Sequence, residues 1–186
     1  MMRRIQQGML SATVLAMAFV PAIAQVSEKE KACAELQCQR DVRITLKQAD
    51  GAPIGRTYPY FAPIVQGTML TIAAGQTVYV EAEIVGDEVH LLRAVESNVA
   101  PEKTIVARFE QNEHGMILET TNPFEKTLKF DMGISPLEDP KAGVYKTSSC
   151  PIGPKLQSFE MWQEPILFVV LGRGRVLPDN DKMVCD

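Results

Sequence analysis

Apolar residues recur at every second position through most of the chain. Val42, Ile44 and Leu46 alternate with Arg43, Thr45 and Lys47 before an Asp50-Gly51 turn, the period of a strand with one buried face. The same period turns Val78, Val80, Ala82 and Ile84 inward and leaves Glu81 and Glu83 facing water. It sets Ile105, Ala107 and Phe109 against Arg108 and Glu110, and Leu128, Phe130, Met132 and Ile134 against an outward Lys129. Further short strands are expected at 69–72, 89–95, 116–121 and 144–150. Pro53, Pro59 and Pro63 interrupt a stretch containing Tyr58, Tyr60 and Phe61, which predicts a packed loop. A second loop, broken by Pro and Gly, is expected to run through Trp162. The run Ile166-Leu167-Phe168-Val169-Val170-Leu171 does not alternate, as befits a central strand buried on both faces or a covered strand near a sandwich edge. Gly172-Arg173-Gly174-Arg175 reads as a strand break, with a last strand at 173–177. Eight or nine short strands without a long helix predict a mainly β fold, an antiparallel immunoglobulin-like β-sandwich, with a small β-barrel as the alternative.

The first residues follow another pattern. Arg3 and Arg4 precede an uncharged, mostly apolar run at 9–20, and Ala22-Ile23-Ala24 supplies the small-x-small pattern read by a signal peptidase. That run falls short of the ~20 apolar residues needed to span a bilayer. The expected organisation is therefore a signal peptide at 1–24, a charged N-terminal segment at 25–40 and a single domain at 41–186. No membrane span is expected after leader removal, and the expected location is periplasmic, or secreted.

Export changes the reading of the cysteines. Cys33, Cys38, Cys150 and Cys185 make an even set, the usual disulfide signature of an oxidising compartment. Local pairing, Cys33 with Cys38 and Cys150 with Cys185, is expected, although crossed pairing would close larger loops and loop entropy does not decide between them. Without Arg3 and Arg4, 17 basic face 23 acidic side chains, a balance of −6, which disfavours a nucleic-acid partner.

Little in the sequence carries chemistry. His90 and His114 stand beside turns with Glu88 and Glu113, where surface histidines usually ligate nothing, so no metal and no cofactor is expected. Met69, Met116, Met132, Met161 and Met183 are scattered and read as core filling. Glu81 and Glu83, as paired acids, could serve a glycosidase only if they left the solvated face of their strand. Gly172 to Arg175 lacks the strand-turn-helix setting of a phosphate cradle. Trp162, with Phe159 and Met161 beside it, is the candidate anchor for a partner.

Asn122-Pro123, Leu128-Lys129-Phe130-Asp131, Thr147-Ser148-Ser149-Cys150-Pro151 and Trp162-x-x-Pro165-Ile166 together resemble uncharacterised exported, periplasmic proteins of proteobacteria with a predicted immunoglobulin-like β-sandwich. The resemblance covers the last third of the chain and implies compartment and fold, with no catalytic residue. Ile72-Ala73-Ala74-Gly75-Gln76-Thr77-Val78 is similar to the turn opening the second strand of many bacterial immunoglobulin-like domains. The functional expectation is an exported, non-enzymatic module that binds or supports an unknown envelope protein or glycan. The alternatives are a periplasmic hydrolase using carboxylates and a pilus-type chaperone, which would need a second sandwich domain.

Overall fold

Alternating β-branched and polar side chains favour extended backbone, and glycines at the turns let it reverse. The computed structural model describes residues 28–48, 50–138, 143–178, 181 and 183–186; the leader expected at 1–24 lies outside them. One short helix, α1 (Glu28–Leu36), precedes β1 (Gln39–Lys47), β2 (Pro53–Phe61), β3 (Val65–Gln66), β4 (Met69–Ala73), β5 (Gln76–Val85) and β6 (Glu88–Val95). There follow β7 (Thr104–Asn112), β8 (Gly115–Thr121), β9 (Leu128–Pro136), β10 (Tyr145–Thr147), β11 (Gln157–Trp162) and β12 (Ile166–Val176). The connections from β4 to β5 and from β5 to β6 turn on Gly75 and Gly86, at φ 87° and 63°, left-handed angles that glycine adopts without a Cβ clash; only the second closes a hairpin, since β4 pairs with β3 and β12.

β1 and β2 form a two-stranded antiparallel sheet, and the others join in the order β10-β9-β12-β6-β5-β7-β8-β11, with β4 also on β12 and β3 on β4. This path is thinnest between β12 and β6, which share only Arg175↔Glu88. On one side lie β9, β10, β12, β4 and β3, and on the other β6, β5, β7, β8 and β11, so the chain is an antiparallel β-sandwich. It does not close into a barrel. The outer strands β10 and β11 meet through side chains instead: Trp162 Nε1 donates to Thr147 Oγ1 at 3.4 Å, and the Cys150 amide donates to Glu160 Oε1 at 2.7 Å.

One apolar cluster fills the interior, with Phe109, Leu70, Ile72, Ile105, Leu118 and Leu128 fully buried. Each such side chain contributes roughly 1.5–3 kcal/mol through burial. The β1-β2 hairpin adds Val42, Ile44 and Leu46 to the same cluster. Phe61 meets Phe168 edge-on at 5.5 Å, and the Gln111 side chain bonds both the amide and the carbonyl of Lys47.

Several expectations change here. Residues 53–61 form a strand, because β2 pairs on one side only and a one-sided strand tolerates prolines. Trp162 ends strand β11, and no loop runs through it. β12 is continuous through Gly172 to Arg175, where a bulge replaces the expected break. Glu81 is 5% exposed and pairs with Arg93 and Lys103 at 3.1 and 3.3 Å. The alternation of β5 itself is unbroken, since the extra residue at the β5-β6 register shift is Leu92 on β6; Glu81 is buried because Arg93 and Lys103 cover it on the outer face. Lys129 is also 5% exposed, because residues 184–186 lie over it. Among the methionines, Met116 and Met132 fill the core, whereas Met69, Met161 and Met183 are exposed.

Candidate functional site

The most developed site lies where the sheet path is thinnest. β12 runs beside β9 with Gly172 opposite Asp131, and three residues later Arg175 stands opposite Lys129. Arg173 and Gly174 thus share one partner, Phe130, which defines a bulge. Gly174 makes it possible: a Cβ there would lie 2.5 Å from the Phe130 ring and 2.8 Å from Val89 Cβ. Arg173 takes φ 44°, a left-handed angle that costs a residue with a Cβ and recurs where a fold serves a site.

The bulge aims two guanidiniums at one carboxylate. Arg175 Nη1 lies 3.0 Å from Asp131 Oδ1, and Arg173 Nη2 pairs with Oδ2. Burial raises the Asp131 pKa, but Arg175 and Arg173 together bring it below the ordinary carboxylate range. Asp131 is therefore held as an anion and is poorly suited to proton donation. The three side chains border a cleft of about 450 Å³ that Thr68, Glu88 and His90 also line. His90 Nε2 lies 3.5 Å from Glu88 Oε2. Arg173 is 82% exposed, so it can turn from Asp131 toward an incoming anion.

Of the residues singled out in the sequence, His90 and the Gly172 to Arg175 run belong to this cleft, and the others lie elsewhere. Trp162 is partly buried, its ring edge-on to Phe109 at 6.1 Å with the planes at 90°. The exposed apolar side chains of β11 are Phe159 and Met161. Glu81 is committed to its two cations, and Glu83 is exposed to solvent. His114 pairs with Glu113 at 3.5 Å, in a turn far along the chain from His90. Among the described residues no group of three or more His, Cys, Asp or Glu converges to hold a metal. The cysteines pair locally, Cys33 with Cys38 and Cys150 with Cys185. No described helix is long and apolar enough to cross a membrane.

The segments behind the proteobacterial resemblance hold the fold together here. Asn122 is buried, and its Nδ2 donates to the carbonyls of Lys126, Ile152 and Gly153 at 2.7, 3.0 and 3.0 Å. Ser149 Oγ donates to the Phe130 carbonyl at 2.5 Å. Asp131 belongs to the cleft. The glycines inside β12 were the available signal for it, since glycine within a strand marks a bulge or a close approach. No family model, no curated protein and no solved structure matches the chain.

Proposed function

We propose that the chain is an exported, non-enzymatic β-sandwich module of the periplasm that binds an envelope protein or glycan through its carboxylate or phosphate groups. The observation that carries this reading is the bulge, which places Arg173 and Arg175 together at the mouth of the cleft with Asp131 between them. Guanidiniums recognise carboxylates and phosphates by paired hydrogen bonds, and a fixed fork sacrifices little freedom on binding. The two disulfides agree with an oxidising compartment.

Affinity capture from the native envelope with the oxidised chain tests it, run in parallel with Arg173→Gln. The exposed Arg173 pair contributes little to stability, so the variant should unfold within about 0.5 kcal/mol of the parent. Capture of an anionic component should fall at least tenfold, and that component, once purified, should bind less tightly as salt rises. Equal capture by both proteins would reject the cleft as the recognition site.

A further inference from the structure

A second cationic site borders the cleft and holds a side chain of this chain. The Lys129 side chain is 6% exposed. Among the described residues its Nζ meets the Val184 carbonyl at 2.9 Å and the Asp186 carboxylate. Both acceptors belong to residues 183–186, which are themselves exposed. Two things fasten that segment to the fold: the Cys150–Cys185 disulfide, and a reciprocal backbone pair in which Ser149 N donates to Asp186 O at 3.0 Å and Asp186 N to Ser149 O at 3.2 Å. Arg175 stands across the ladder from Lys129. The Asp186 pKa is lowered first by Lys129 and further by Lys146 and Arg175. Lys129 of β9 therefore holds the carboxylate directly, with Arg175 of β12 opposite it in the ladder, and a buried ammonium requires an anion or an equivalent acceptor.

We propose that Lys129 and Arg175 form a binding site for a small oxyanion, that Asp186 is its tethered occupant, and that opening Cys150–Cys185 vacates it. Tethering presents Asp186 at an effective concentration of about millimolar or above, so a free anion competes poorly while the link is closed. Opening needs a dithiol. Its thiolate attacks the disulfide, two electrons and two protons pass to Cys150 and Cys185, and the dithiol departs as its own disulfide. Cys185 is exposed, which gives such a reagent access. The freed segment leaves Lys129 beside Arg175 without its carboxylate, and an external oxyanion replaces it.

The test titrates the full chain at constant ionic strength with inorganic phosphate and, separately, succinate, following the amides of Lys129 and Arg175 by NMR. The Cys150→Ser/Cys185→Ser variant should bind one of these anions at least tenfold more tightly than the oxidised parent. The tighter of the two distinguishes phosphate from carboxylate chemistry. Lys129→Met in that background should abolish the gain. Asp186→Asn keeps the disulfide, carries the test if the double serine variant does not fold, and should bind at least threefold more tightly than the parent. Affinity unchanged in Asp186→Asn and in any folded serine variant, or a gain that survives Lys129→Met, would overturn the proposal. Arg173 takes no part in this test, so the site and the cleft can fail separately.

Discussion

Gly174→Ala isolates the bulge with a single methyl group. The added carbon would sit 2.5 Å and 3.0 Å from two Phe130 ring carbons and 2.8 Å from Val89 Cβ, where ordinary carbon contacts lie at about 3.5–4.0 Å. Something must move by about 1 Å. Phe130 and Val89 are 3% and 2% exposed, so neither can swing into solvent, and overpacking of this kind costs roughly 1–3 kcal/mol. In a domain of this length that lowers the melting temperature by roughly 2–4 °C per kcal/mol. Gly172→Ala is the control from the same motif: its nearest neighbour would be Met69 Cγ at 3.8 Å, and its effect should stay within about 0.5 kcal/mol. Urea unfolding followed by circular dichroism reads both variants, with an unchanged slope showing that only stability moved. Phe130→Leu should restore part of the loss in Gly174→Ala while destabilising the parent, a non-additivity expected of residues in contact. Equal stabilities for the two alanine variants would refute the close approach, and with it the bulge geometry that aims Arg173 and Arg175.

Two further predictions concern buried groups. Glu81 has its pKa lowered chiefly by Arg93, then by Lys103 against the opposing effect of burial. A carboxyl whose pKa is lower folded than unfolded adds stability above its unfolded pKa and loses it as pH falls through the folded value. The urea midpoint of the parent should therefore drop more steeply than that of Glu81→Gln as pH falls from about 5 to about 3, and parallel profiles would contradict the assignment. Trp162→Ala should cost about 2–4 kcal/mol, below the full loss for a buried tryptophan because the indole is only partly covered. The parent's Trp162 emission should be blue-shifted; a wet indole and a stable alanine variant would return this residue to the surface.

The alternation of apolar positions made most strands legible because each needs only its own residues to define a face. Buried charge was not legible. Glu81 and Lys129 sit in sequence patterns identical to those of solvated side chains, and what covers them comes from afar. Arg93 and Lys103 reach Glu81, while residues 184–186 reach Lys129 from more than fifty positions away. Bulges compound the difficulty, since one extra residue shifts the facing of everything nearby. The prolines of β2 misled for another reason: they forbid a central strand, and nothing local says that the strand is paired on one side only. Gly172 to Arg175 carried the signature of the cleft, but its meaning depends on Phe130 and Val89, which the chain brings there only on folding. The disulfides were legible as a count, and the local pairing expected from the sequence is the one observed, although loop entropy alone did not decide it.

The Cys150–Cys185 link also governs how the domain would respond to being stretched. Cys150 and Cys185 are 35 positions apart, and both β11 and β12 lie between them. A pull applied between a residue before Cys150 and one beyond Cys185 passes through the sulfurs, leaving the intervening chain under no tension. At about 3.5 Å per residue, roughly 120 Å of length stays out of reach of the force. β12, the strand that β4, β6 and β9 all pair with, is inside the protected loop, so the load falls first on the hairpin of β1 and β2 and on the strands that precede Cys150. A dithiol would lengthen the stretched chain by that hidden amount, which single-molecule extension would register as a discrete step.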